Sequence, residues 1–527
     1  MAFTFQINSD LKFRHDEAFL AKSEQCRPVI RKQEVTPVRI VELMEDPSKL
    51  NGVWVTESEK KIADLKSYGL KRNDKLILDF GDHRVGTFQI HIDQTGSPMD
   101  APLYLRIKFA EMPAELAAES ADYDGWLSRS WIQEEFIHVD ELPATITLSR
   151  RYSFRYVELK VIDTSPKWQA VFDDPVVTTE TSADYEHFKP LVLKDPELQK
   201  IYDIGVKTLA DCTQDVFEDG PKRDRRLWLG DLRLQALANY ATFDQTELVK
   251  RCLYLFAAMT TEEGKISANV FVKPKNVPDD TFLFEYSLFF ISTLYDLHQA
   301  HPDEALVKEL YPVAKTQMDI TLTMFDEQGK LIPDEDYPVF VDWSNDFNKD
   351  TAGQAEVIYV LKQFLALAEI AGEPDIKTYQ EKLNLISAYA RNVLFRPEKN
   401  LFATTWDEFN IASQVWMVLA HVMSDEENKS IMKTAMKQLF PVKNIATPYM
   451  YHHIVEALFE AGLKEEAVHL MKSYWGKMIS LGADTYWEAF DPDQPNYSPY
   501  GSPIVNSYCH AWSCTPVYLI KKYLVEE

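Results

Sequence analysis

A change of hydrophobic period part-way along the chain limits its fold more than any other feature. Between about residues 70 and 165, apolar residues alternate with a period of two: Phe88, Ile90, Ile92; then Leu103, Leu105, Ile107, Phe109; then Val157, Leu159, Val161. Alternation puts those side chains on one face of an extended backbone, which predicts half-buried strands. Turn formers such as those in Gln94-Thr-Gly-Ser-Pro98 separate them. After about Asp184 the period becomes helical. Val357, Val360, Leu361, Phe364, Leu365 and Ala368 fall at i, i+3, i+4, i+7, i+8 and i+11, and Val249, Cys252, Leu253 and Phe256 repeat the pattern. Further helical stretches near 195–216, 232–243, 282–299, 304–325, 374–394, 410–422, 426–438, 449–461, 464–478 and 508–524 bring the total to about a dozen.

The two periods predict two cores, and 527 residues with 46% hydrophobic content are enough to fill them. The expected organisation is a strand-and-loop extension over 1–65, a β-sandwich over 66–184 and a helical domain over 185–527. A dozen antiparallel helices make either a solenoid or a closed toroid of hairpins. No fixed-period repeat is visible, which argues against the solenoid. Closed rings of helices gather their functional residues in the loops at one end.

A formal net charge of -26 repels phosphate backbones and anionic headgroups, so neither nucleic acid nor a membrane is an expected partner. The N-terminal run MAFTFQINSDLKFRHDEAF lacks the basic stretch and apolar segment of a secretory signal, and no apolar run elsewhere is long enough to span a bilayer. A cytoplasmic location is expected. Cys26, Cys212, Cys252, Cys509 and Cys514 are scattered, without zinc-type spacing, and read as reduced buried thiols. No metal and no cofactor are expected, and the sequence leaves room for a homo-oligomer.

Two loops carry chemistry. Glu218-Asp-Gly-Pro-Lys-Arg-Asp-Arg-Arg-Leu-Trp-Leu-Gly-Asp231 crowds acids, cations and a Trp around Gly-Pro between two helices. Its bland reading is a salt-bridged turn with Asp231 as N-cap of the next helix. Gly482-Ala-Asp-Thr-Tyr-Trp-Glu-Ala-Phe-Asp491 places a carboxylate between Trp487 and Phe490. Aromatic neighbours desolvate a carboxylate and also stack on sugar faces. Glycoside hydrolysis needs two carboxyl groups across the scissile bond, and these loops supply such a pair.

The run from Asp219 to Asp231 resembles the signature of the α-L-rhamnosidases of glycoside hydrolase family 78. The resemblance continues through Phe340-Val-Asp-Trp343, Tyr486-Trp-Glu488, Ser507-Tyr-Cys-His-Ala-Trp-Ser513, Leu78-Asp-Phe-Gly81 and Phe154-Arg-Tyr-Val-Glu158. It implies an (α/α)6 barrel preceded by a β-sandwich, and inverting release of terminal α-L-rhamnose from a glycoside. By the same resemblance, Asp219, Arg223 and Asp231 match residues that hold sugar hydroxyls, Trp228 and Trp343 match pocket aromatics, and His510 matches a sugar-contacting histidine. Glu488 matches the general base.

The family's general acid is a glutamate, and this chain has Asp224 at that position. Aspartate shortens the reach by one C–C bond, about 1.5 Å. Either the loop advances to compensate or the acid function is impaired; Gly220, in place of the signature Cys, loosens the backbone in a way that would permit the advance. Glu218, Asp342 and Glu335 are the reserve candidates for the acid. Phe282, Phe284 and Tyr286 stand where relatives place a Trp near the pocket. The chain ends soon after His510, without the C-terminal β-domain of many relatives, so small glycosides are the expected substrates. Two other readings remain: a six-hairpin hydrolase or phosphorylase for another deoxy or uronic sugar, and a non-catalytic sugar-binding relative.

Overall fold

A computed structural model of the protein describes residues 10–525. The strand Lys75–Gly96 organises the N-terminal domain. Its first part pairs with Tyr152–Asp163, the register shifts between Asp79 and Arg84, and its second part pairs with Trp168–Thr181. The change of partner folds a nine-stranded antiparallel sheet over on itself. Leu76, Leu78, Phe80, Phe88, Ile90 and Ile92, the alternating residues of that one strand, are all buried in a single core. Phe88 from one layer meets Phe109 from the other edge-on, 5.5 Å between ring centres. The result is the β-sandwich that the alternation predicts.

The boundary at residue 65 is not where the chain divides. Arg31–Val35, Arg39–Glu45 and Val53–Glu57 are members of the sheet, pairing with Trp168–Thr181, Lys75–Gly96 and each other. The helix Glu17–Gln25, capped by Asp16, lies apart from it and packs on Thr246–Ala258 of the helical domain, and Phe13 just before it bridges to Thr261.

Twelve helices follow in the C-terminal domain among the described residues. Leu229–Tyr240, Phe284–Ala300, Asp350–Ala371, Ile411–Leu419, Pro448–Glu460 and Pro516–Tyr523 contact one another in sequence, and the last returns to the first. That closes an inner ring. Pro196–Cys212, Thr246–Ala258, Glu304–Leu322, Ile376–Tyr389, Asp425–Leu439 and Lys464–Ser480 pack outside it. Inner helices such as Ile411–Leu419 are buried on every side, while outer ones such as Asp425–Leu439 bury a single stripe. The expected helix over 508–524 starts only at Pro516, because Ser507–Thr515 forms a loop at the end of the ring.

The two domains meet through buried charge. His83 from the sheet donates through Nδ1 to Asp211 Oδ2 (2.6 Å) at the end of an outer helix, while its Nε2 faces Glu111 (3.1 Å) and Ser153 (3.0 Å). Burial opposes a charged ring, but Cys509, Asp211 and Glu111 outweigh it and raise the His83 pKa well above its ordinary value. Glu111 also accepts from the Tyr508 backbone N–H (2.7 Å), and Arg155 bridges Asp79 (2.8 Å) to Asp484 (3.2 Å). Arg151 binds Glu218 (2.5 Å), and Lys222 binds Glu115. Side chains of the sheet therefore position loops of the helical domain.

Substituting His83→Ala takes one partner from each of two buried carboxylates, Asp211 and Glu111, and removing one partner of a buried pair typically costs about 3 kcal/mol or more. Because the folded-state pKa of His83 is raised, its stabilising contribution is complete below the ordinary value of 6.5 and is lost as pH rises through the folded value. Urea unfolding of wild type and variant should show a gap that is largest at pH 6 and narrows in alkali. A gap that does not vary with pH would mean that the ring acts neutral.

Candidate active site

The loops at one end of the helical ring and one loop of the sheet domain enclose a cavity of about 220 Å³. This is below the roughly 300–1,000 Å³ of drug-sized pockets and suits a single sugar ring. Asp219, Arg223, Asp224, Trp228, Asp231, Trp343, Glu488 and His510 all line it. The sequence places none of the four carboxyl groups next to another, so only the fold brings them together.

Each residue is set by its own local structure. Asp219 accepts the Arg226 backbone N–H (2.9 Å), and its carbonyl accepts the Ala511 N–H (2.8 Å), tying the first signature loop to the His510 loop. Leu227–Trp228 forms a two-residue strand against Asn269–Val270 and leads into the helix Leu229–Tyr240. Trp228, not Asp231, occupies the N-cap position. Asp231 lies within the first turn, with Oδ1 lacking a hydrogen bond and 3.6 Å from His510 Nδ1, which also lacks one.

Phe340 and Trp343 are presented by a turn in which Val341 has φ 54°, a strained value for a β-branched residue. The buried carboxylate of Glu285 holds that turn by accepting the N–H groups of Phe340 (3.0 Å) and Val341.

Glu488 is the most tightly held. Tyr500 donates its hydroxyl to Oε1 (2.6 Å), and Arg223 donates Nη2 to Oε2. The Arg223 guanidinium lies 4.1 Å over the Tyr500 ring, gives Nε–H to Val505 O (3.0 Å), and stands 3.8 Å from Asp224 Oδ1. Arg225 and Arg226 have other partners: Arg225 donates to the carbonyl of Arg151 (2.8 Å), and Arg226, which also lines the cavity, lies near Asp279 (3.7 Å).

Burial lifts the Glu488 carboxyl above the usual range, against the pull of Arg223 and Tyr500. Burial, reinforced by neighbouring carboxylates, raises Asp219 and Asp231 further, so both favour the protonated form. Burial, then Arg223, pushes His510 well below the ordinary imidazole value, leaving it neutral.

Several expectations are corrected. Gly220 does not supply a loose hinge: its φ is not positive, and an added Cβ would lie 2.9 Å from Ser507 Oγ. The unusual backbone is at Asp224 (φ 59°) and Arg225 (φ 55°). Of the three reserve acids none lines the cavity. Glu218 is bound to Arg151, Asp342 accepts from Ser344 N, Ala446 N (both 2.9 Å) and Thr447 Oγ1, and Glu335 is exposed on another face. Among Phe282, Phe284 and Tyr286, only Tyr286 reaches the cavity; Phe284 packs on Tyr337 instead.

Tyr500, Trp126 and Trp131 also line it and were not foreseen. The available signal was the Trp-Gly-Ser composition of the stretch around Tyr123-Asp-Gly-Trp126, where strand alternation lapses. His83, Asp211 and Cys509 bring potential metal-ligand atoms within 4.8 Å of one another. Both nitrogens of His83 are already engaged, by Asp211 on one side and by Glu111 and Ser153 on the other.

Residues 37–179 match the glycosyl hydrolase family 78 α-rhamnosidase N-terminal domain, and residues 191–524 match the bacterial α-L-rhamnosidase six-hairpin glycosidase domain. The chain belongs to this family of glycoside hydrolases. It is similar to a rhamnosidase from Klebsiella oxytoca with rhamnose bound, at 42% identity and TM-score 0.95, over 98% of this chain and 100% of that one. A family 78 rhamnosidase of a Bacillus species is 21% identical with TM-score 0.70, over 85% of this chain and 46% of that one. An α-L-rhamnosidase from Streptomyces avermitilis complexed with L-rhamnose is 16% identical with TM-score 0.65, over 94% and 44%. These two share the fold. No curated protein sequence gives a significant match. Among the described residues no helix is long and apolar enough to cross a membrane.

The Arg223→Gln variant removes the cation that opposes burial at Glu488, so that carboxyl should become still harder to ionise. On an aryl glycoside, the acidic limb of kcat/KM against pH is expected to move upward by about 1 unit or more. An unmoved limb would detach Glu488 from the titration that controls activity.

Proposed function

We propose that this enzyme is an exo-acting α-L-rhamnosidase that inverts the anomeric carbon of small glycosides. The observation that carries the reading is the unequal setting of the carboxyl groups in a closed-ended cavity. The side chains of Asp219, Asp231 and Glu488 are 3–6% exposed, whereas Asp224 is 22% exposed. Glu488 sits deep beside a cation, and Asp224 lies toward the opening.

In the proposed reaction, Glu488 takes a proton from a water as the water's oxygen attacks the anomeric carbon. The bond from that carbon to the glycosidic oxygen breaks, and Asp224 gives its proton to the departing oxygen. Protonated Asp219 and Asp231, with neutral His510, offer hydrogen bonds to uncharged sugar hydroxyls. Trp228 and Trp343 supply apolar walls suited to the 6-deoxy ring, in line with the rhamnose held by the Klebsiella relative.

A uronic acid is disfavoured because the nearest guanidinium, that of Arg223, is already engaged by Glu488. A phosphorolytic reaction is disfavoured too, because among the described residues no cation lining the cavity is free to hold phosphate once Arg223 is paired with Glu488 and Arg226 with Asp279. Five free cysteines suit a reducing compartment, and we place the enzyme in the cytoplasm.

A panel of aryl α- and β-glycosides tests the reading: the α-L-rhamnoside should be cleaved best, and proton NMR should show the β-anomer first. Appearance of the α-anomer first would overturn inversion. Glu488→Gln should lower kcat by about 10²–10⁴-fold while calorimetry still detects rhamnose binding. Asp224→Ala should cripple an alkyl rhamnoside far more than a dinitrophenyl one, whose leaving group departs without a proton. Equal losses would make Asp224 a residue that positions the sugar.

A further inference from the structure

We infer that the sheet domain builds the leaving-group subsite, with Trp126 as the platform on which a flat ring of the departing group stacks. The ring is that of an aryl aglycone or a second sugar. The inference rests on the proposed assignment of Asp224, because a leaving oxygen protonated there must depart past it.

The wall on that side of the cavity comes from the stretch Trp126–Trp131, the only part of the β-sandwich that lines the cavity among the described residues. Trp131 lies beneath Arg225, the residue after Asp224, with the guanidinium 5.9 Å above its ring. Trp126 is 49% exposed, while Trp228, Trp343 and Trp512 on the inner walls are half-buried or buried. An indole left half in water is nonetheless fixed. Its Nε1–H donates to Pro499 O (3.1 Å), and its ring lies 5.5 Å from that of Tyr500.

The neighbouring residues leave the loop little freedom. Tyr123, 2% exposed, packs with Tyr500, Ile504 and Val505 in a small core of its own. Gly125 is pressed so closely against the Tyr500 carbonyl that a Cβ there would lie 2.2 Å from the oxygen. A rigid, partly solvated aromatic face lining the same cavity as the proton donor is what a stacked leaving group needs, since its ordering cost is met before binding.

The test compares kcat/KM for phenyl, disaccharide and methyl α-L-rhamnosides in the full-length enzyme. Trp126→Ala should lower the ratios of phenyl to methyl and of disaccharide to methyl by up to about tenfold, with the Kd for free rhamnose kept within about twofold. A fall in only one ratio assigns the platform to that ring. Trp126→Phe keeps a ring but loses the donor to Pro499, so it should retain most of both ratios. Equal losses in the Phe and Ala variants would show that Trp126 merely anchors the loop, and unchanged ratios would remove it from the subsite. Both results overturn the inference while leaving the rhamnosidase reading intact. If the wild type cleaves none of the three glycosides, the rhamnosidase reading falls and the subsite falls with it.

Discussion

Four carboxyl groups share one desolvated cavity, and the rest of the site follows from how their charge is accommodated. Carboxylates that close together in a medium of low dielectric constant cannot all be ionised. Arg223 neutralises one of them, Glu488, and burial drives Asp219 and Asp231 toward their protonated forms. The neighbouring His510 is discharged by the same burial and by Arg223. The inner pocket thus presents mostly neutral donors and acceptors, which suit a neutral polyol, together with the single ion pair of Arg223 and Glu488. A pocket built on charge recognition would need free cations facing inward; Arg225 is engaged on the Arg151 carbonyl, and Arg226, which lines the cavity, lies near Asp279 and over the Phe271 ring.

That arrangement needs backbone conformations that the loops would not hold alone. Asp224, Arg225 and Val341 all have positive φ, and such residues cost of order 1–3 kcal/mol each when the side chain is not glycine. The surroundings overdetermine them. Glu285 clamps the turn at Val341 from within the ring of helices, and Arg151 of the sheet receives Arg225 on its carbonyl while binding Glu218 through its guanidinium. The sheet is therefore part of the catalytic scaffold. His83, Glu111, Arg151 and Arg155 reach across to the segments that carry Asp211, Glu218, Asp484 and Tyr508, which surround the loops bearing Asp219 and Glu488.

The division into a sandwich and a helical ring was legible because each fold imposes its own period on buried residues. Phe88-Ile90-Ile92 and the Val357–Ala368 run occupy the strand and the helix that their spacing predicts. The domain boundary was less legible, since Arg31–Val35 and Val53–Glu57 bury little of their own surface and are edge members held mainly by pairing. The loops carrying Asp219 and Glu488 stood out through their composition. Tyr500 and Trp126 did not: Trp126 matters through a contact across hundreds of residues with Pro499, and Tyr500 through a loop that folds its hydroxyl back onto Glu488. Asp342 misled for the opposite reason: a carboxylate beside a pocket Trp looks catalytic in sequence, yet its oxygens are used up by Ser344, Ala446 and Thr447.

The aspartate at position 224 stands out less once its backbone is considered. With φ 59° it lies in the left-handed region, which aspartate and asparagine enter far more readily than glutamate because a short polar side chain can satisfy nearby backbone groups. The turn is tight: the Arg225 N–H returns to the Arg223 carbonyl at 2.9 Å, and on either side of Asp224 the chain is fixed by Arg223 on Val505 and Arg225 on Arg151. With both neighbours pinned, the carboxyl has to be aimed by φ and ψ rather than by side-chain length. A longer side chain would add a rotatable bond at the one carboxyl in the cavity that lies partly in water. Despite a side chain about 1.5 Å shorter than a glutamate's, Asp224 still lines the cavity. Aspartate is the acidic residue that this turn accepts at least cost.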